Sequence, residues 1–141
     1  MKILIFGLPG SGKTTLAKPL AELIDAVHIN ADEVRTHYND WDFSPEGRMR
    51  QANRMRHLSD GVVRAGKIVV TDFVCPTEEA RLAFAPDFTI WMDTIKEGRF
   101  ADTNKMFETP TKYNYHVSDW FTDTHIVLKD VLRGYQQRDK K

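Results

Sequence analysis

Eight residues near the start of the chain, Gly7-Leu8-Pro9-Gly10-Ser11-Gly12-Lys13-Thr14, fit the pattern GxxxxGK[ST]. They follow the apolar run Ile3-Leu4-Ile5-Phe6 and lead into Thr15-Leu16-Ala17, the strand, loop and helix context in which that pattern binds phosphate. Glycines let the main chain turn tightly and bring its N–H groups to phosphate oxygens. A helix starting at Lys13 adds orphan N–H donors and a positive dipole end. Lys13 would reach the β- and γ-phosphates of ATP, and the Thr14 hydroxyl would be a ligand of Mg2+. Thr15 belongs to the same nucleotide-binding set. A glycine-rich turn that merely joins strand to helix is the competing reading, and the agreement of motif with context disfavours it.

Moving a phosphoryl group to a hydroxyl also needs a carboxylate beside the acceptor and cations around the moving charge. In a parallel α/β sheet such groups gather beyond the carboxyl ends of the strands. Asp32, Asp72 and Asp93 are placed there by the sequence. Asp32 is either the carboxylate near the acceptor or the N-terminal cap of a helix. Asp72 closes Ile68-Val69-Val70-Thr71-Asp72, which looks like a Walker B strand ending on an acid that holds Mg2+; a solvated strand-end carboxylate is the alternative. Arg35 lies three residues after Asp32, so on a helix the two project to the same side. Arg48, Arg50, Arg54 and Arg56 crowd one helix, an arrangement that faces mostly solvent, with one or two guanidiniums turned to the cleft. Phe43 and Phe73 either stack on a base or complete the core.

The elements that must hold these residues follow from apolar patterning. Lys2 to Phe6 reads as a fully buried parallel strand. Lys13 to about Ile24 reads as a helix, with Pro19 expected to kink or shorten it. Val27 to Asn30 is a second strand, and Ala31 to about Tyr38 a helix. Ser44 and Pro45 supply an N-cap and a first-turn proline for a helix that stops near Gly66. Ile68 to Thr71 is a third strand, Pro76 opens a short helix through Arg81, and Phe88 to Met92 is a fourth strand. Residues 95 to 121 show no clear strand and read as a long, lid-like connection. His125 to Leu128 is expected as a fifth strand and Val131 to Gln137 as a closing helix. The sum is an α/β fold, a P-loop NTPase-type three-layer sandwich on a five-stranded parallel sheet with right-handed crossovers.

A length of 141 residues suits one domain, residues 1 to 141. Twenty basic and twenty acidic residues cancel, which gives no electrostatic case for a membrane and makes nucleic acid a disfavoured partner, a local basic cleft aside. The lone Cys75 cannot form an internal disulfide, and the N-terminal apolar run is too short for a signal peptide. No run approaches the ~20 apolar residues of a membrane span. A soluble, cytoplasmic protein is the expectation, with a small nucleotide-like molecule as partner and a homodimer left open. The charged tail Arg138-Asp139-Lys140-Lys141 is expected to be solvated and frayed.

Taken together, the phosphate loop, Asn30-Ala31-Asp32-Glu33-Val34-Arg35, Phe43-Ser44-Pro45-Glu46-Gly47-Arg48, and Phe73-Val74-Cys75-Pro76 with Arg81 resemble the adenylylsulfate kinase (APS kinase) family. That family's pattern runs DGDNxR, FSxxDRxxN, FISPxxxxR, and the resemblance covers roughly the first two thirds of the chain. It implies an ATP- and Mg2+-dependent kinase with Lys13 and Asp32 as catalytic residues. Arg35 and Arg48 would hold the phosphosulfate side of adenylylsulfate and Phe43 would stack on its adenine. Gln51, Phe73 and Cys75 would complete the acceptor pocket, and the product would be 3′-phosphoadenylylsulfate.

Departures from the pattern are specific. Asn30 replaces its first aspartate, Glu33 its asparagine, Gly47 the aspartate before Arg48, Gln51 an asparagine, and Cys75 a serine. Asp72 stands where the family has a small residue. The family's KGLYxKAR and NFTGID lid segments, which bring a second aromatic onto the adenine, are missing. Phe107, Tyr113 and Trp120 are the candidates for that aromatic, and Arg99 and Lys105 for lid cations. Alternative readings are a kinase for another nucleotide, a polynucleotide end or a sugar, and a nucleotide-binding module without transfer chemistry.

Overall fold

The computed structural model describes residues 1–98, 100–119 and 123–139, with Arg138 and Asp139 described by backbone only. Arg99, Trp120 and the end of the charged tail lie outside them. In chain order the elements are β1 (Lys2–Gly7), α1 (Lys13–Leu23), β2 (Val27–Asn30), α2 (Ala31–Tyr38), α3 (Pro45–Arg64), β3 (Val69–Asp72), α4 (Glu78–Phe84), β4 (Phe88–Met92), α5 (Ala101–Met106), β5 (Tyr115–Val117) and α6 (Thr124–Asp139).

All five strands run parallel, in the order β2-β3-β1-β4-β5. β1 is buried at every position, and its period-two alternation divides the core. Ile3 and Ile5 meet Leu16 and Leu20 of α1 and Leu128 and Leu132 of α6 on one face. Leu4 and Phe6 meet Ala52 and Met55 of α3 and Phe84 of α4 on the other. Helices thus cover both faces of a sheet whose central strands carry no polar face, as a parallel sheet requires. Register sets Asn30 directly beside Asp72 at the carboxyl ends of β2 and β3.

Two expectations near the C-terminus are corrected. His125 to Leu128 is not a strand; it is the first part of α6. The β-branched pair Ile126-Val127 suggests a strand locally, but both side chains are exposed. Leu128, Val131, Leu132 and Tyr135, at spacings of three and four, pack onto the core, so the helical period wins. The fifth strand is Tyr115–Val117, within the stretch that showed none. Three residues on a sheet edge, paired on one side only, leave too short a pattern to detect.

Smaller corrections concern helix ends. α1 runs through Pro19 to Leu23 and is not shortened by it. Thr15, whose carbonyl loses a helical partner to the proline, is exposed and open to water. α4 starts at Glu78, capped by the Thr77 hydroxyl, and continues to Phe84.

Candidate active site

Strand β1 ends at the phosphate loop, where Gly10 and Gly12 take φ of 88° and 92°, values that a Cβ disfavours. Gly12 is the left-handed N-cap of α1, so the first N–H groups of that helix open into a cleft of about 1130 Å³. Pro9, Gly10, Gly12, Lys13, Thr14 and Thr15 line it. Gly7 and Ser11 are buried behind the loop, where the Ser11 carbonyl accepts from Thr94 Oγ1 at 2.7 Å. Lys13 Nζ donates to the Leu8 carbonyl at 2.9 Å. Burial pushes the Lys13 ammonium down to about 8, partly offset by the charges of Asp72 and Asp32. Both carboxylates therefore stand close enough to act on the group that would meet the phosphates.

Asp32 is not the cap of α2. That role belongs to Asn30, whose side-chain oxygen accepts from Glu33 N at 3.0 Å. The capping reading of Asp32 is thereby removed, and its carboxylate lines the cleft. Asp72 is not a solvated strand-end acid either, since it is 2% exposed. Its Oδ1 accepts from Thr14 Oγ1 and Asn30 Nδ2, each at 2.9 Å, and its Oδ2 is taken by His28 Nε2. Asn30 and Asp72, two separate departures in sequence, are one hydrogen-bonded pair in space.

The opposite wall is built from side chains. Phe43 is half exposed rather than in the core, and the guanidiniums of Arg35 and Arg48 lie over its ring, 4.4 and 5.3 Å from the centroid. Buried Arg35 donates to the carbonyls of Asp40 and Asp42. Arg48 donates to the carbonyl of Phe43 and to Thr103 Oγ1, the latter at 2.7 Å. Burial lowers the pKa of Arg48 first and the like charge of Arg35 second, surroundings that favour an arriving anion. Asp40 fixes the loop below, accepting a two-pronged contact from Arg50 and a third from Arg54. Those contacts hold the Asp40 carboxyl well below the usual range.

Gly47 has a steric reason. A Cβ there would sit 2.2 Å from the Asp42 carbonyl oxygen, so the family's aspartate cannot occupy this position while the loop keeps its course.

Other predicted residues divide. Gln51 is buried, ties α3 to α2 through the Ala31 carbonyl and accepts from Arg54. Phe73 borders the cleft while packing edge-on to Phe84, 5.5 Å away. Cys75 borders it too, buried and with a positive φ of 44°, and burial pushes its thiol up, which leaves it unreactive. Arg81 is spent inside, against the rings of Phe6 and Phe107 and on the carbonyls of Cys75, Pro76 and Glu108. Lys105 is exposed and is not among the cleft residues. Phe107 stacks on Phe6, and Tyr113 sits against Trp91 and His116, so neither faces the cleft. Phe100, Trp41 and Met106, which the sequence did not single out, do line it. Gly98 and residues 100–108 are anchored by Asn104 on both polar groups of Gly98, Thr103 on Arg48, and Glu108 N on the Pro76 carbonyl.

A sequence model of the family described as Adenylylsulphate kinase matches residues 1–91. A probable adenylyl-sulfate kinase of Aeropyrum pernix is 37% identical over 81 residues, 53% of this chain and 44% of that protein. An adenylyl-sulfate kinase of Oceanobacillus iheyensis is 37% identical over 81 residues, 53% of this chain and 41% of that protein. The matched stretch spans less than half the length of each relative. The solved structure of the Mycobacterium tuberculosis APS kinase CysC in complex with AMPPNP and APS has a TM-score of 0.80, with 18% identity over 94% of this chain and 96% of that chain. At that identity the likeness is one of fold. Among the described residues no helix is long and apolar enough to cross a membrane.

Proposed function

The chain belongs to the adenylylsulfate kinase family, and on that premise we propose that it transfers the γ-phosphoryl group of ATP to a hydroxyl of adenylylsulfate, giving ADP and 3′-phosphoadenylylsulfate. One observation carries the reading: a single cleft is lined by the phosphate loop, the Asp32 carboxylate, and the Arg35–Phe43–Arg48 stack. A nucleotide bearing an anionic group presents the planar ring and charge that such a stack binds.

Each residue has a defined task. Loop N–H groups and the start of α1 cradle the β- and γ-phosphates, and Lys13 neutralises charge on the group in transit. Asp32 orients the acceptor hydroxyl and takes its proton as the new O–P bond forms and the bond to ADP breaks. Thr14 Oγ1 and the Asp72 carboxylate are hard oxygen donors and fit Mg2+, which when bound with ATP spreads the charge of the phosphate oxygens. Arg35 and Arg48 hold the anionic end of the acceptor, and Phe43 its ring.

Incubation with γ-labelled ATP and a panel of acceptors tests the reading. Label should appear in 3′-phosphoadenylylsulfate, and Lys13→Ala should abolish it. Preferential labelling of a sugar, a polynucleotide end or another nucleotide would overturn the acceptor. Nucleotide binding with no transfer to any of them would overturn the enzyme.

A further inference from the structure

Beneath the phosphate loop is a polar cluster whose outermost member the proposed chemistry does not use. Asp72 sits at the end of the buried strand β3, with Thr14 and Asn30 on its Oδ1 and His28 on its Oδ2. Thr14 has one hydroxyl proton and two lone pairs. The proton goes to Asp72, and one lone pair accepts from Asn30 Nδ2 at 3.2 Å. One lone pair remains, on a residue that lines the cleft. Asp72, also at the cleft, has three of its roughly four acceptor directions filled. Asn30 cannot turn, because its oxygen is committed to the N-terminus of α2.

The cluster thus leaves one free oxygen direction on Thr14 and one on Asp72, which is the donor chemistry of a hard divalent cation. Their aim depends on the carboxylate plane. Thr14 and Asn30 share one oxygen and define a pivot; among the described residues only His28, on the other oxygen, stops rotation about it. His28 is on β2, its side chain 18% exposed, and does not line the cleft. Removing it would strand Oδ2 as a buried acceptor without a partner, and the carboxylate would turn to find one.

We propose that His28 is a positioning residue: it locks the Asp72 carboxylate, and through it the Thr14 hydroxyl, in the orientation that receives the divalent cation accompanying the nucleotide. This rests on the reading of the cleft as an ATP site.

The test measures Mn2+ binding to the AMPPNP complex by electron paramagnetic resonance, with metal-free AMPPNP affinity measured separately. His28→Ala should weaken Mn2+ by about 10- to 100-fold while metal-free AMPPNP affinity stays within about twofold. His28→Gln, which can extend an N–H to Oδ2, should recover most of the loss, whereas the shorter His28→Asn should not. His28→Ala combined with Asp72→Asn should bind Mn2+ no more weakly than Asp72→Asn alone, because the two act as one unit. Unchanged Mn2+ affinity in His28→Ala, or losses that add in the double variant, would overturn the proposal. Should His28→Ala fail to fold, equal Mn2+ affinity in His28→Gln and His28→Asn would overturn it instead. Wild-type protein that binds no AMPPNP would remove the ATP reading itself, a result distinct from these.

Discussion

The floor and the wall of the cleft are built on different principles. At the floor, the proposed phosphate contacts come largely from main chain, and the buried Asp72 carboxylate is held by three side chains on adjoining elements. At the wall, an exposed ring carries two guanidiniums over it, themselves held by a loop pinned through Asp40. The floor stands on the carboxyl ends of β1, β2 and β3 and the start of α1; the wall stands on a loop and on α2, α3 and α5. The difference matches the task. Phosphate is the same in every nucleotide, so rigid backbone can serve it. Acceptors differ, and side chains on loops are what a fold can change without disturbing its core.

Replacing a floor residue should therefore disturb folding and metal binding together. Asn30→Asp restores the family's residue but sets a second carboxylate against Asp72, and should destabilise by about 1–3 kcal/mol in urea unfolding at neutral pH. Adding Asp72→Ser should restore most of that stability, because the acid is then on β2 instead of β3. Additive losses in the double variant would break the idea that the two departures compensate.

Replacing a wall residue should spare the fold and change acceptor binding. Phe43→Ala should raise KM for adenylylsulfate by about tenfold with kcat little altered, the size of a lost stacking and cation–π contact. A fall in kcat with KM unchanged would move Phe43 out of the binding role.

The smallest effect is on pH. In the nucleotide-free protein the Lys13 ammonium titrates near 8, lowered by burial, and triphosphate charge would raise it. Below that pH lysine is charged with or without ATP, so affinity should be flat. Above it, binding must also recruit a proton, and affinity should fall by about fourfold between pH 7 and 8.5. Affinity rising over that range would show that Lys13 does not face the phosphates.

The same division governs what was legible in the sequence. The floor's main-chain part could be read outright: a phosphate loop is a local pattern with its own strand and helix. The caps of α3 were legible for the same reason, because Ser44 and Pro45 act on their own neighbours. The Asn30–Asp72–His28 cluster was not, since it depends on the register of β2 against β3, a contact between residues some 40 positions apart. On the wall, Phe43, Arg35 and Arg48 were found through family resemblance. Trp41, Phe100 and Met106 were missed because a single exposed aromatic or methionine has no periodicity to mark it. The start of α6 was misread because a short apolar run fits either period and only packing on α1 decides, and β5 was missed because three edge residues make no readable pattern.

In the proposed reaction the loop holds the nucleotide while Asp32 handles the acceptor. Measuring ATP affinity and single-turnover transfer in Asp32→Asn tests it most directly. The prediction is unchanged ATP affinity with transfer slowed by a factor on the order of 10² to 10⁴. Transfer at the wild-type rate, or a loss of ATP affinity equal to the loss of rate, would contradict it.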